Sequence, residues 1–96
     1  MYSISVRDFL CLDNPIIIDI RNSYYYNIEH IDGALNIPFY SLLNNYGRYL
    51  NKSDTYYLYC DYGEKSKSIV NKLVKFGYKL YSIDGGFLEY KKIMNM

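Results

Sequence analysis

The chain reads as an α/β protein of three layers, α/β/α, with helices on both faces of a parallel sheet. Three features carry that reading: short β-branched apolar runs, stretches of helical periodicity between them, and their regular alternation. Ile16-Ile17-Ile18-Asp19-Ile20 is apolar at consecutive rather than alternate positions, as a strand covered on both faces must be. Strands of this kind linked by helices form right-handed βαβ crossovers.

The elements follow in order. Ser3–Ser5 reads as a short edge strand and Val6–Leu12 as a helix. Ile16–Ile20 is the first strong strand, opened by Pro15, and Ser23–Ile28 is a short helix. Ala34–Ile37 is a weaker strand, closed by Pro38. Ser41–Leu50 places Leu42, Leu43, Tyr46 and Leu50 on one helical face. Thr55–Tyr59 is the second strong strand. In the helix Lys65–Phe76, the residues Ile69, Val70, Leu73 and Val74 form a single stripe, and Gly77 supplies the stop. Lys79–Ile83 is the third strong strand and Phe87–Met94 the last helix. No repeat, linker or low-complexity tract interrupts the series, so residues 1–96 are expected to form one domain.

Composition narrows the function. Half of the 96 residues are apolar and 22% are charged, a globular balance. A net charge of +1 argues against broad electrostatic docking on nucleic acid or anionic lipid. The Arg7-Asp8 pair breaks the apolar stretch that a signal peptide needs, and no segment reaches the roughly 18 apolar residues of a membrane span. Two cysteines and one histidine make neither a disulfide scaffold nor a four-ligand zinc site, so no metal or cofactor is expected. A cytoplasmic setting, where a lone thiol stays reduced, fits this usage. Cys11, among Phe9, Leu10 and Leu12, reads as a small buried hydrophobe.

Cys60 is different. Tyr59 is followed by Cys60-Asp61-Tyr62-Gly63-Glu64-Lys65-Ser66 and then at once by an amphipathic helix. A cysteine leaving a buried strand before a helix N-terminus meets unpaired backbone N–H groups and the positive end of the helix dipole. Both favour the thiolate, the nucleophilic form. Gly63 can adopt positive φ and let successive N–H groups converge into a cradle. Lys65 adds a positive charge, Ser66 can cap the helix or offer its hydroxyl, and Tyr62 is placed to wall a pocket. Ligands of open α/β sheets gather at the C-terminal strand ends, which also singles out Asp19 and Arg21. Two roles stay open for that pair: an ion pair that fixes a loop, or contact with substrate.

Cys60-x-x-Gly63-x-Lys65-Ser66 resembles the active loop of the rhodanese-type sulfurtransferases, usually Cys-x-x-Gly-x-Arg-Ser. Asp19-Ile20-Arg21, with His30-Ile31-Asp32-Gly33-Ala34 through Pro38, is similar to that family's Asp-x-Arg…Gly-His-Ile-Pro-Gly-Ala…Pro signature. Gly85-Gly86 followed by Tyr90 is similar to its Gly-Gly…Trp motif. The resemblance implies a rhodanese-like domain whose five-stranded parallel sheet has the order 1-5-4-2-3. It implies that Cys60 is the catalytic nucleophile. It places Asp61, Tyr62, Gly63, Glu64, Lys65, Ser66 and Arg21 at the substrate, with Asp19 supporting the loop. The implied chemistry moves a sulfane sulfur from a small donor such as thiosulfate, through a Cys60 persulfide, to cyanide or a thiol. A relay or binding module that hands sulfur to a protein partner is the alternative.

Several residues depart from the pattern. Lys65 stands for arginine and cannot fork onto a sulfonate. Asp61 and Glu64 put carboxylates beside the cradle and oppose anions. Glu29 replaces the glycine before His30, and Tyr25 stands where an acidic partner of Arg21 is usual, leaving Arg21 to pair with Asp19 or Glu29 or to face the pocket. His30 is expected to be a structural histidine rather than a base. The tyrosine clusters at 24–26 and 56–59 lack an interleaved basic stripe and read as core and rim packing. A cysteine phosphatase would need arginine where Ser66 stands. A redox sensor would need a resolving thiol, a role for which Cys11 has no evident placement.

Overall fold

A computed structural model describes residues 2–96. Its elements are β1 (Ser3–Ile4), α1 (Val6–Leu10), β2 (Ile16–Asp19), α2 (Ser23–Ile28), β3 (Leu35–Asn36), α3 (Phe39–Tyr49), β4 (Thr55–Tyr59), α4 (Glu64–Leu73), a 3₁₀ turn (Val74–Phe76), β5 (Lys79–Ile83) and α5 (Gly86–Met94). Neighbouring strands pair in parallel in the order β1-β5-β4-β2-β3, as the resemblance implies. Asp19 is the register partner of Tyr59, so β2 and β4 end side by side. From β2 the chain runs on to β3 on one side, and from β4 to β5 on the other. The strand order reverses at that point, and a crevice opens there.

Each face of the sheet is apolar. Ile18, Tyr56, Leu58 and Leu80 lie against Leu42 of α3 and against Ile69, Val70 and Leu73 of α4. Ile17, Tyr59 and Ile83 lie against Val6 and Phe9 of α1 and against Phe87 and Tyr90 of α5. Alternation along β4 gives Cys60 the same side as Leu58, so its sulfur belongs to the α3/α4 face.

The boundaries differ from the periodicity in ways that have local causes. Helix α3 begins at Phe39 because Pro38 (φ −55°, ψ 150°) presets the turn into the helix. The stripe that ends at Phe76 tightens into a 3₁₀ turn after Leu73, before Gly77 takes φ 95°. Helix α1 stops at Leu10 and turns only Val6 and Phe9 to the core. Cys11 is therefore exposed, not buried as its neighbours suggest, and its thiol donates to the Arg7 carbonyl at 3.4 Å. Tyr24 and Tyr25 are exposed, whereas the Tyr26 hydroxyl donates to the Ala34 carbonyl at 2.6 Å. His30 stacks on the Tyr26 ring at 3.8 Å between centroids. Among the described residues, no helix is long and apolar enough to cross a membrane.

Tyr59 is fully buried, and its hydroxyl accepts the Ile31 N–H at 3.0 Å, tying the end of β4 to the turn before β3. Burial pushes its pKa well above the ordinary tyrosine value. The unfolded chain loses this proton first, so the contribution is complete below about pH 10 and declines as pH rises above it. Urea titrations above about pH 10 should show a fall in stability that Tyr59→Phe lessens by up to about 1.4 kcal/mol per pH unit. At neutral pH the same variant should be about 1–3 kcal/mol less stable, because the Ile31 N–H loses its partner. Identical alkaline slopes in the two proteins would refute the assignment.

Candidate active site

Cys60 lies just past β4 with its side chain nearly enclosed. The Gly63 N–H donates to its Sγ at 3.1 Å and the Ser66 N–H at 3.4 Å, while the Ser66 Oγ stands 3.6 Å from the sulfur. The loop can fold this tightly because Gly63, the N-cap of α4, has φ 98°. Helix α4 opens at Glu64, so its first N–H groups have no carbonyl one turn earlier and its positive end faces the loop. Two main-chain donors thus converge on the enclosed sulfur.

The carbonyls of the same loop are held from outside. The Phe87 N–H donates to the Cys60 carbonyl at 2.8 Å and the Leu88 N–H to the Asp61 carbonyl at 3.0 Å. With those oxygens taken by the start of α5, the loop amides are free to turn inward. Gly86 permits the approach: a Cβ there would stand 2.5 Å from the Cys60 oxygen and 2.8 Å from that of Asp61. A Cβ on Gly63 would in turn stand 3.1 Å from the Gly85 nitrogen. The Gly85-Gly86 pair is therefore a buttress of the sulfur loop, a function its motif alone does not state.

Ser66 is buried beneath the loop. Its hydroxyl donates to the Gly63 carbonyl at 3.2 Å and shares a 2.7 Å hydrogen bond with the Ser82 hydroxyl. Sequence reading passes over Ser82. The available signal was a serine on the core-facing register of β5, between Leu80 and Ile83, where a hydroxyl needs a partner.

Asp19 and Arg21 form a buried brace. Arg21 Nε donates to both Asp19 oxygens at 3.1 Å, and Nη2 donates to Oδ2 at 2.8 Å. Nη2 also donates to the Glu29 carbonyl at 2.8 Å, and Nη1 stands 3.7 Å from Asp61 Oδ1. The guanidinium lies over the Phe87 ring, with Cζ 4.3 Å from its centre. Burial works against its charge, but the hydrogen bonds and charge of Asp19 outweigh that and hold its pKa above the ordinary value. Of the pairings open to Arg21, Asp19 takes the side chain. Glu29 supplies only its carbonyl, its carboxylate being paired with Lys91.

Cys60 contributes to a cleft of about 520 Å³ that opens over the loop. Of the residues expected there, Arg21, Asp61, Tyr62, Glu64 and Lys65 line it, while Gly63 and Ser66 are buried under the loop. The opposite wall comes from Tyr25 at α2 and from Phe39 and Tyr40 at the start of α3. Their place at the mouth depends on how α2 and α3 fold back over β2, which no local pattern reveals.

A family model for the Rhodanese-like domain matches residues 6–93. Thiosulfate sulfurtransferase GlpE of Coxiella burnetii is 35% identical over 77 residues, covering 79% of this chain and 71% of that protein. A tRNA uridine(34) hydroxylase of Wigglesworthia glossinidia brevipalpis is 32% identical over 100 residues, covering 93% of this chain and 31% of that protein. A crystal structure from Staphylococcus saprophyticus superposes with a TM-score of 0.84 at 31% identity, covering 94% of this chain and 93% of the other.

The buttress can be tested with two glycines of similar backbone conformation. Gly33 has φ 85° and open space where a Cβ would stand, whereas Gly86 has φ 61° and the loop carbonyls. Gly33→Ala should cost about 1–2 kcal/mol in urea unfolding, with iodoacetamide alkylation of Cys60 unchanged. Gly86→Ala should cost about 3 kcal/mol or more and change that alkylation rate severalfold, since a displaced loop no longer encloses the sulfur in the same way. Equal alkylation rates in the two variants would remove the buttress from the account.

Proposed function

The chain belongs to the rhodanese-like domain family, and we propose that it is a sulfurtransferase that carries sulfur as a persulfide on Cys60. The observation that carries this reading is the pair of backbone N–H groups, from Gly63 and Ser66, converging on Sγ. In the first step the Cys60 thiolate attacks the outer sulfur of a donor such as thiosulfate. The S–S bond of the donor breaks, sulfite leaves with the electron pair, and a Cys60 persulfide remains. In the second step an acceptor, cyanide or a thiolate, attacks the outer sulfur and Cys60 leaves as the thiolate. Each step moves negative charge onto or off sulfur inside the loop, and donors already aimed at it stabilise that charge without reorganising. The two covalent steps give ping-pong kinetics. Lys65, exposed on the cleft wall, is the cation available to an anionic donor, because Arg21 is held by Asp19.

Intact-mass measurement after thiosulfate treatment tests the reading. The wild type should gain one sulfur that cyanide removes, and Cys60→Ser should gain none. No gain, together with aryl-phosphate hydrolysis, would assign a phosphatase instead. Stable loading with negligible cyanide turnover would assign a sulfur-relay module. Lys65→Ala should raise the thiosulfate KM about three- to tenfold, the effect of one solvent-screened charge, and lower kcat by less. Unchanged constants would exclude Lys65 from donor binding.

A further inference from the structure

Resting on that reading, we infer that the sulfur acceptor of this cleft is an organic thiol with an apolar or aromatic body and no negative charge, rather than a small inorganic anion. The volume comes first. A cleft of about 520 Å³ falls within the roughly 300–1,000 Å³ of sites built for organic ligands. An acceptor the size of cyanide would leave most of it to solvent.

The walls come second. Tyr25, Tyr40 and Tyr62 line the cleft and are 52%, 70% and 66% exposed. They arise from three separate segments: α2, the first turn of α3 and the loop after Cys60. Phe39 backs Tyr40 edge-on at 5.1 Å. Single exposed rings need no explanation, but three from separate segments lining one opening over a nucleophile give it an apolar rim of the kind that binds ligand. Rings of this sort accept an apolar or aromatic group and attract cations to their faces.

Charge comes third. The Arg21 guanidinium is neutralised by Asp19, so the side chains that set the charge of the mouth are Asp61 and Glu64 against Lys65. Two carboxylates against one ammonium disfavour a polyanionic acceptor and tolerate a neutral or cationic one. The transfer itself balances. The acceptor thiolate attacks the outer sulfur of the persulfide, a new S–S bond forms, the bond to Cys60 Sγ breaks, and Cys60 leaves with the electron pair. No oxidant or reductant is consumed.

The experiment loads the 96-residue chain with thiosulfate, confirms the added sulfur by mass, removes the donor and follows discharge by defined thiols. Ethanethiol and 2-phenylethanethiol are compared at equal thiolate concentration, with glutathione as the anionic probe. The phenyl thiol should discharge the persulfide about tenfold faster than ethanethiol, the effect of one or two ring contacts. Glutathione should be no faster than ethanethiol. Tyr40→Ala should bring the phenyl-to-ethyl ratio to within about twofold of unity, and Tyr40→Phe, which keeps the ring, should restore it. A wild-type ratio near one, or glutathione as the fastest acceptor, would overturn the inference while leaving the persulfide reading intact. Failure to load at all would remove the persulfide reading itself, and this inference with it.

Discussion

The structure depends on the polarity of one loop. Between Cys60 and Ser66 the amides must face the sulfur, and that is possible only if the carbonyls beside it find partners elsewhere. The first turn of α5 provides those partners through the N–H groups of Phe87 and Leu88. Much else follows from this requirement. Gly86 leaves room for the two backbones to touch, Gly63 turns the chain back on itself, and the parallel pairing of β4 with β5 brings α5 to the right side. Ser66, anchored to Ser82 in β5, stops the loop from sliding along the sheet.

A second constraint crosses the first. Arg21 is buried with Asp19, and a pair of this kind is favourable only while each partner keeps its full set of hydrogen bonds. Here the set is completed by the Glu29 carbonyl and by the face of Phe87, whose own N–H holds Cys60. The guanidinium therefore joins the end of β2, the segment before β3 and the start of α5 into one support. Its charge is directed to holding that junction, and the solvent side of the cleft is left to Lys65, Asp61 and Glu64.

The sheet and the position of the nucleophile are legible in the amino-acid order because both rest on local signals. Consecutive β-branched residues report burial on two faces, and a cysteine between such a run and a helix stripe reports its own surroundings. The strand order was instead implied by the resemblance of whole motifs to those of the rhodanese family. What could not be read depends on contacts distant in sequence. Ser82 meets Ser66 across sixteen positions, and Gly86 meets Cys60 across a helix and a strand. Cys11 shows the converse: apolar neighbours suggest burial, yet a helix that ends at Leu10 leaves the thiol outside. Tyr25 and Tyr40 look like ordinary tyrosines of a tyrosine-rich chain until the fold sets them around one opening.

The outermost strands, β1 and β3, are only two residues long each. So brief a margin offers a foreign chain only a short template of its own. Of the longer strands, β4 is paired on both flanks over most of its length, while β2 and β5 are covered on their outer flanks only at Ile18–Asp19 and Ser82–Ile83. In a protein this rich in tyrosine and isoleucine, the backbone a foreign strand could reach is therefore set by where its strands stop rather than by its surface charge.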